Sequence, residues 1–312
     1  MQNFMVAVEV VIPLIVYMSV GALIRKMNLF AEEQFKALNV VIFKIFIPLT
    51  LFFDVYEVNL SDALQGEILI LVLAGILMAF GVAYYMVPKM VAERADASSV
   101  IQGIFRSNYV LFGLTIARSL CGENGIAQVA AFAAVVVPVF NVLAVILFET
   151  RRGGNIKVSK VVLNILKNPL VEAGVLACLV NILGIHIPEV LASPLGKLGD
   201  IASPLALVTL GGMLSFRSIV SHRRALYIAT VGRLVILPLI MVVITALLGY
   251  RGEVLVLILA IFGSPTAVSS VPMAQTMGGN GKLAGEIVAS TSVFSIISLF
   301  LFVFVLSTMG MI

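Results

Sequence analysis

Residues 262–280 read FGSPTAVSSVPMAQTMGGN, and they interrupt a stretch that is otherwise apolar enough to cross a membrane. Pro265 and Pro272 bracket the sequence TAVSSV, and each proline lacks a backbone N–H and clashes with the preceding helical turn. In hydrocarbon every backbone polar group needs a partner, so such an interruption is tolerated only where it is buried in protein or lines a wet cavity. The stretch therefore predicts a broken helix inside a bundle of membrane helices.

A second interruption, residues 107–124 with the sequence SNYVLFGLTIARSLCGEN, lies in the first half of the chain. At an offset of half of the 312 residues, several positions of the two halves match. The matching pairs are Asn124 with Asn280, Gly122 with Gly278, Gly125 with Gly281, Asn108 with Ser264, Pro48 with Pro204, and Lys44 with Asp200. Interrupted hydrophobic segments at matching positions of two halves indicate the binding site of a transporter.

The composition excludes an ordinary soluble domain. Hydrophobic residues make up 61% of the chain and charged residues 12%, and the mean hydropathy is +1.14, whereas a soluble domain is nearer half apolar and a quarter charged. The net charge of +4 is better explained by basic loops beside a lipid bilayer than by nucleic-acid binding, so we expect no nucleic-acid partner. With two cysteines, Cys121 and Cys178, we expect neither a thiolate metal site nor another cofactor.

We predict an all-α polytopic membrane protein with ten transmembrane helices, since a span needs about 20 apolar residues to cross roughly 30 Å of hydrocarbon. The predicted spans are 4–24, 35–56, 67–87, 99–120, 126–148, 166–184, 197–216, 224–249, 253–276 and 284–309. The interruption at residues 107–124 then begins in the fourth predicted span and extends beyond it, and the interruption at residues 262–280 lies mostly in the ninth.

The distribution of basic residues predicts the orientation. Most of the 20 Lys and Arg residues fall in connections after odd-numbered spans, and only Arg118, Lys197 and Arg251 fall in connections after even-numbered spans. The positive-inside rule places the odd connections in the cytoplasm, so both termini lie outside the plasma (inner) membrane. Residues 1–150 and 166–312 then form two five-span halves of opposite orientation, and residues 151–165 form a cytoplasmic linker.

Several segments resemble the auxin efflux carrier family, which includes plant auxin carriers and bacterial malonate transporters. The resemblance covers nearly the whole chain and rests on LNVVIFKIFIPLTLFF (38–53), SNYVLFGLTIARSLCGENG (107–125), KNPLVEAGVLACLVNILGIHIPEVL (167–191), ASPLALVTLGGML (202–214) and PTAVSSVPMAQTMGGNG (265–281).

This resemblance implies two inverted five-helix repeats and a homodimer formed through a scaffold. Spans 1, 2, 6 and 7 would form the scaffold. Spans 3–5 and 8–10 would form a mobile transport domain in which spans 4 and 9 cross at broken points. Family members commonly carry a proline a few residues after the position of Asn108, where this chain has Thr115. We therefore expect Gly113 to supply the break, because glycine tolerates unusual dihedral angles.

The predicted site lies at this crossing. A broken helix exposes the free N–H groups at the start of its second half, which favour an anion. Asn108, Ser264, Ser269 and Ser270 are the right types to cap half-helices or to bind a ligand; alternatively, each serine satisfies only its own backbone. We also assign to the substrate site the residues that surround the breaks, and two residues that the family architecture brings near. These are Gly113, Thr115, Pro265 and Pro272 at the breaks, and Asn141 and Thr50 from neighbouring spans.

Four charged residues are candidates for charge compensation or coupling. Arg106 and Arg233 lie within predicted spans, where an ionised group costs about 2.5–3.5 kcal/mol and therefore needs a partner or a wet cavity. Arg106 either attracts an organic anion or extends toward the cytoplasmic interface. Lys44 and Asp200, at matching positions of the halves, either neutralise each other or lie near an interface, where a lysine snorkels.

The sequence favours a secondary active transporter of small organic anions, chiefly carboxylates. The resemblance implies an elevator form of alternating access, and a proton or a sodium ion is the candidate coupling ion. Alternatives are a sodium-coupled symporter like those of bile acids, an intramembrane enzyme, or a sensor. We predict no enzymatic activity, because no nucleophile–base pair or metal-ligand motif falls in the spans. A channel would need a repeated filter motif.

Overall fold

The computed structural model describes residues 2–56, 66–151, 163, 166–213 and 222–312. These residues are helical nearly throughout, and no strand longer than a single bridge occurs among them. The helices are α1 Gln2–Lys26, α2 Glu32–Val41, α3 Ile47–Tyr56, α4 Gly66–Met90, α5 Arg94–Phe105, α6 Tyr109–Arg151, α7 Pro169–Ile182, α8 Glu189–Asp200, α9 Ala202–Met213, α10 Arg223–Val231, α11 Leu237–Leu247, α12 Glu253–Gly263, α13 Ser270–Met277 and α14 Gly281–Thr308. Two π-helical segments, Ile42–Phe46 and Gly232–Ile236, join α2 to α3 and α10 to α11.

The helices confirm an all-α membrane protein. Five helical stretches in the described part of the chain are long and apolar enough to cross a membrane. They are Glu32–Phe53, Gly66–Met90, Ala131–Arg151, Arg223–Leu247 and Gly281–Thr308, and the shorter apolar helices include Pro169–Ile182 and Glu253–Gly263. The full set of ten spans, the inverted repeat and its orientation stay predictions. The predicted linker, 151–165, lies almost entirely outside the described residues.

The predicted ninth span is broken, as the two prolines indicate. Helix α12 ends at Gly263 and α13 begins at Ser270. Ser264, the residue before Pro265, is extended with ψ 150°, because a following proline disfavours the helical conformation. Pro272 lies in the first turn of α13, where its missing N–H would have no helical partner in any case. The break therefore owes its position to Pro265.

The predicted fourth span is also broken, but not at Gly113. Helix α5 ends at Phe105, Arg106 is extended with φ −88° and ψ 115°, and α6 begins at Tyr109. Gly113 lies inside α6, where a Cβ would meet the side chains of Tyr109 and Ala260 at 2.9–3.3 Å. Its lack of a side chain thus permits close packing against α12, rather than a break in the helix.

Helix α6 also corrects the boundary between the predicted fourth and fifth spans. It runs for 43 residues without interruption through 121–125, where we predict a connection. No proline occurs between Tyr109 and Pro138, and a glycine inside a helix costs only about 1 kcal/mol. At 1.5 Å per residue the helix is about 65 Å long, roughly twice the thickness of the hydrocarbon core.

The two broken segments cross and bond to each other. Ser107 and Thr266 form an isolated antiparallel bridge. The Asn108 N–H donates to the Pro265 carbonyl at 2.8 Å, and the Ala267 N–H donates to the Arg106 carbonyl at 3.2 Å. The interrupted backbones thus satisfy each other, as a structure at membrane depth requires.

Candidate functional site

A cavity of about 420 Å³ lies against the crossing of the two broken segments. One wall comes from the predicted transport domain and the other from the predicted scaffold. The lining residues are Arg106, Ser107, Asn108, Tyr109, Val137, Phe140, Asn141, Ala267 and Ser269 on the first wall, and Pro13, Tyr17, Ile47, Thr50, Leu51, Gly199, Asp200, Ala202, Ser203, Pro204 and Leu207 on the second. The volume is that of a site for a small molecule.

Arg106 places a buried positive charge on the cavity wall. Its residue is 3% exposed, and the break in the helix turns it into the interior instead of toward an interface. The guanidinium donates from Nη2 to Asn141 Oδ1 at 2.5 Å and from Nη1 to Met273 Sδ at 3.1 Å. No Asp or Glu of the described ranges forms an ion pair with it. Its charge is therefore held by neutral acceptors.

Two amide side chains fix the orientation of Arg106. Asn141, itself 3% exposed, donates from Nδ2 to the Val137 carbonyl of its own helix and accepts from Arg106. Gln102, one turn before Arg106, accepts from Nη1 at 3.1 Å and donates to the Ser270 carbonyl at 3.2 Å when its amide is oriented to match donors with acceptors. Asn141, which the family resemblance places near the crossing, thus supports the arginine directly.

Asn108 and Ser107 bring further polar groups to the cavity. The Asn108 carbonyl accepts from the Phe112 N–H, as at the start of a helix, but the Asn108 Nδ2 amide is buried and has no partner in the described structure. The Ser107 hydroxyl is also buried and without a partner there. Buried polar groups are nearly always hydrogen-bonded, so two unpartnered groups beside a buried cation are typical of a site that binds a polar ligand.

The scaffold wall is mainly apolar. Thr50 lies on it, but its hydroxyl hydrogen is directed at the carbonyls of Phe46 at 2.9 Å and Gly199 at 2.7 Å. A Cβ on Gly199 would approach the Thr50 backbone nitrogen to 2.9 Å, so the two helices touch closely here. Asp200 also lines the cavity and is exposed.

Other predicted residues lie outside the cavity wall. Ser264 is fully buried and donates its hydroxyl to the Ala260 carbonyl of its own helix at 2.5 Å. Pro265, Ser270 and Pro272 are buried in the crossing without lining the cavity. Ser269 does line it, and its side chain makes no cap on α13. The side chain of Thr115 lies outside the described part of the structure.

Arg233 and Lys44 both lie in π-helical segments, in opposite surroundings. Arg233 is fully buried and donates to backbone carbonyls of the crossing, whereas Lys44 is exposed. Lys44 and Asp200, both in the described residues, form no ion pair with each other. The mutual neutralisation that their matching positions suggest is therefore not formed in this structure.

Sequence reasoning missed several residues of the site. Ser107 lies in the quoted segment 107–124 but is not among the residues that the sequence assigns to the site. Its bridge to Thr266 across the crossing cannot be predicted from the sequence. The Thr266 hydroxyl donates to the Gly103 carbonyl at 2.7 Å. Tyr17 and Ser203 line the scaffold wall, and only the proline match between Pro48 and Pro204 points to that neighbourhood.

A polar network joins four helices beyond the cavity. The fully buried Asn39 donates from Nδ2 to Gln275 Oε1 at 2.8 Å and accepts from Thr209 Oγ1 at 2.7 Å. Lys282 Nζ lies 3.2 Å from Glu32 Oε1. These contacts join α2 and α9 to α13 and α14, and Thr209 lies nearly two helical turns past the cavity residue Ser203.

This arrangement is suited to binding an anion. A guanidinium forms charge-assisted, bidentate hydrogen bonds with a carboxylate, and Asn108 adds an amide donor. The described residues hold no group of three or more His, Cys, Asp or Glu side chains that could ligate a metal ion.

Comparison with known proteins finds transporters among the relatives of this chain. A family model described as "Membrane transport protein" matches residues 6–303. An uncharacterized transporter of Methanocaldococcus jannaschii is 22% identical over 302 residues, which is 94% of this chain and 96% of that protein. An uncharacterized transporter of Methanothermobacter thermautotrophicus is 22% identical over 298 residues, which is 95% of this chain and 97% of that protein.

Proposed function

The chain belongs to the membrane transport protein family, and we propose that it is a secondary active transporter of small organic anions, chiefly carboxylates. The resemblance to auxin efflux carriers is thereby confirmed at the level of the family. The relatives are named as transporters, which agrees with a protein that moves its ligand rather than converting it.

One observation carries the choice of an anion. Arg106 is buried at the cavity wall and pairs only with neutral acceptors among the described residues. A cation with only neutral partners still attracts an anion. This attraction is strong, because opposite charges in a low-dielectric site interact far more strongly than in water. An entering carboxylate supplies that charge, and the unpartnered Asn108 amide supplies a further hydrogen bond.

The position of the cavity supports alternating access of the elevator type. The site lies between the scaffold wall and the crossing, so a ligand held by Arg106 and Asn108 moves with the crossing when the two bundles slide. Hydrogen bonds of Asn39 to Gln275 and Thr209 join the two predicted domains on one side of the cavity, and we assign to them the closed side of the path. Sliding must break the Asn39–Gln275 bond and open that side.

Uptake into proteoliposomes tests the proposed function. Purified protein is reconstituted, radiolabelled mono- and dicarboxylates are offered, and internal radioactivity is measured and identified by chromatography. We expect saturable uptake of an unchanged carboxylate that unlabelled anions inhibit and neutral or cationic analogues do not. Product formation would indicate an enzyme, and a preference for cations would contradict the proposal.

We also propose that both termini lie outside the plasma (inner) membrane and that two copies associate through their scaffolds. A cysteine-free variant tests the orientation with an impermeant thiol reagent on intact cells. Arg251→Cys is expected to react from outside and Lys26→Cys only after the cells are opened. Both positions are exposed, Lys26 at the end of α1 and Arg251 in the connection between α11 and α12, and they lie on opposite sides of the predicted membrane. Labelling of Lys26→Cys in intact cells would contradict this orientation and indicate the opposite one.

A further inference from the structure

Among the described residues, Arg233 makes hydrogen bonds only to main-chain oxygens of the two broken helices. Its side chain donates from Nε to the Ser264 carbonyl at 2.7 Å and from Nη2 to the Ile261 carbonyl at 2.9 Å. Nη1 donates to the carbonyls of Ile104 at 3.1 Å and Phe105 at 3.4 Å. The residue is fully buried, so a single guanidinium bonds the ends of both helices.

These four oxygens share one structural property. Ile104 and Phe105 end α5, while Ile261 and Ser264 lie at the end of α12. The last carbonyls of a helix have no partner within the helix and carry the negative end of its dipole. In transporters with discontinuous helices, such carbonyls are where coupling cations are coordinated.

We infer that Arg233 is a built-in cation that holds the crossing together in place of a bound metal ion, so that transport needs no sodium ion at this point. A sodium ion here would have to compete with a positive group already within hydrogen-bond distance of the same oxygens. The residues present therefore do not fit a sodium ion at the crossing.

The geometry requires arginine rather than lysine. Arginine presents five N–H donors in a planar fork, while lysine presents three donors around one point. Only the fork reaches the ends of α5 and α12 together. The π-helical segment Gly232–Ile236 carries Arg233 at its second position, and such bulges in helices often occur at functional sites. Arg233 is thus a positioning residue that sets how the two broken segments cross.

Chemical rescue by guanidinium tests this inference. Purified Arg233→Ala is expected to have a Tm lower by about 5 °C or more than the parent. Guanidinium chloride at about 10 mM is expected to recover part of this loss in a saturable way, because a guanidinium ion that fills the vacated position binds and stabilises the folded state. Arg251→Ala is the matched control, since exposed Arg251 donates to the carbonyls of Ala246 and Tyr250 at a helix end. Equal effects of guanidinium on both variants would overturn the inference.

A sodium titration of the parent gives a second test. We expect the Tm of the parent to be the same in sodium and potassium chloride at equal ionic strength. A saturable increase specific to sodium would overturn the inference, even where Arg233→Ala yields no folded protein. The consequence for uptake rests on the proposed function, but both measurements use Tm without substrate. A failed uptake assay therefore contradicts the transport proposal and leaves the role of Arg233 to be decided by these measurements.

Discussion

The two buried arginines show how one residue type takes two roles in the same fold. Arg233 donates only to main-chain carbonyls at the ends of broken helices. Arg106 donates to Asn141 and Met273 and faces the cavity. A buried charge must be paired or hydrogen-bonded, and each arginine meets this condition differently. Arg233 is engaged in the structure of the crossing, whereas on the proposed function Arg106 keeps its charge available to a ligand.

Arg106→Met is expected to weaken binding of the transported anion by about 10- to 100-fold, since a hydrogen bond to a charged group contributes about 1.5–3 kcal/mol. Arg106→Lys is expected to fall between this variant and the parent, because lysine keeps the charge but not the fork. Isothermal titration with the substrate found in the uptake assay measures the effect. Arg251→Met, at an exposed position, serves as control. An unchanged Kd for Arg106→Met would remove Arg106 from the site.

Asn108→Ala is expected to weaken substrate binding without lowering stability. The Asn108 Nδ2 amide has no partner in the described structure, so removing it leaves the Tm unchanged or slightly higher. Binding of the substrate is expected to weaken roughly tenfold through loss of a net hydrogen bond of about 1–1.5 kcal/mol. Asn141→Ala is the contrast, because Asn141 already bonds to Arg106 and its loss lowers the Tm. Unchanged binding by well-folded Asn108→Ala would show that its amide does not contact the ligand.

For single residues, the sequence identifies which side chains belong to the crossing better than it identifies their hydrogen-bond partners. Arg106 and Arg233 lie in apolar segments of the sequence, and this alone indicates that each needs a partner. The partners of Arg233 are main-chain carbonyls that are free only because two helices end beside it. Main-chain partners of this kind cannot be predicted from a pattern of side chains. For Ser264, the reading that it satisfies only its own helix matches the observed bond to Ala260. The Thr50 hydroxyl likewise donates to backbone carbonyls.

The helices differ in how visible their breaks are in the sequence. Pro265 forces Ser264 out of the helical conformation, so the break in the ninth predicted span is a local property. No proline marks the break before Tyr109. There the extended backbone of Arg106 is stabilised by bonds to residues 265–267 from the other half of the chain. Local propensity therefore misses its position, and a 43-residue helix replaces the predicted connection at 121–125.

Pro265→Ala is expected to lower both Tm and substrate affinity more than Pro272→Ala. Without the ring of Pro265, Ser264 can adopt helical angles, so α12 extends and competes with the bond between the Asn108 N–H and the residue 265 carbonyl. Pro272 lies in the first turn of α13, where proline is tolerated and its N–H is not needed. Thermal unfolding and titration of both variants measure the difference. A larger effect from Pro272→Ala would place the essential break after residue 270.

On the scale of the whole molecule, the cavity and the polar network occupy successive positions along the same helices. Along α2 and α3, Asn39 precedes the cavity residue Thr50 by about 16 Å at 1.5 Å per residue, and α9 runs from cavity residue Ser203 to network residue Thr209. The cavity thus lies on one side of the paired Asn39 network, and on the proposed function that network is the closed side of the path. Buried polar groups that are fully paired hold a closed arrangement firmly, because separation leaves them unsatisfied.

Cross-linking tests whether Asn39 and Gln275 must separate during transport. In a background of Cys121→Ser and Cys178→Ser, the pair Asn39→Cys and Gln275→Cys is joined by a short bifunctional methanethiosulfonate, which forms a reducible disulfide with each thiol, since the parent side chains lie 2.8 Å apart. If the crossing slides against the scaffold, the cross-linked protein still binds substrate but no longer moves it, and reduction restores uptake. The control pair, Asn39→Cys with Thr209→Cys, links two helices within the predicted scaffold and is expected to leave uptake intact. Uptake at the uncross-linked rate by fully linked Asn39→Cys and Gln275→Cys would contradict sliding at this surface. Loss of uptake in the control pair alone would instead assign the essential movement to the scaffold itself.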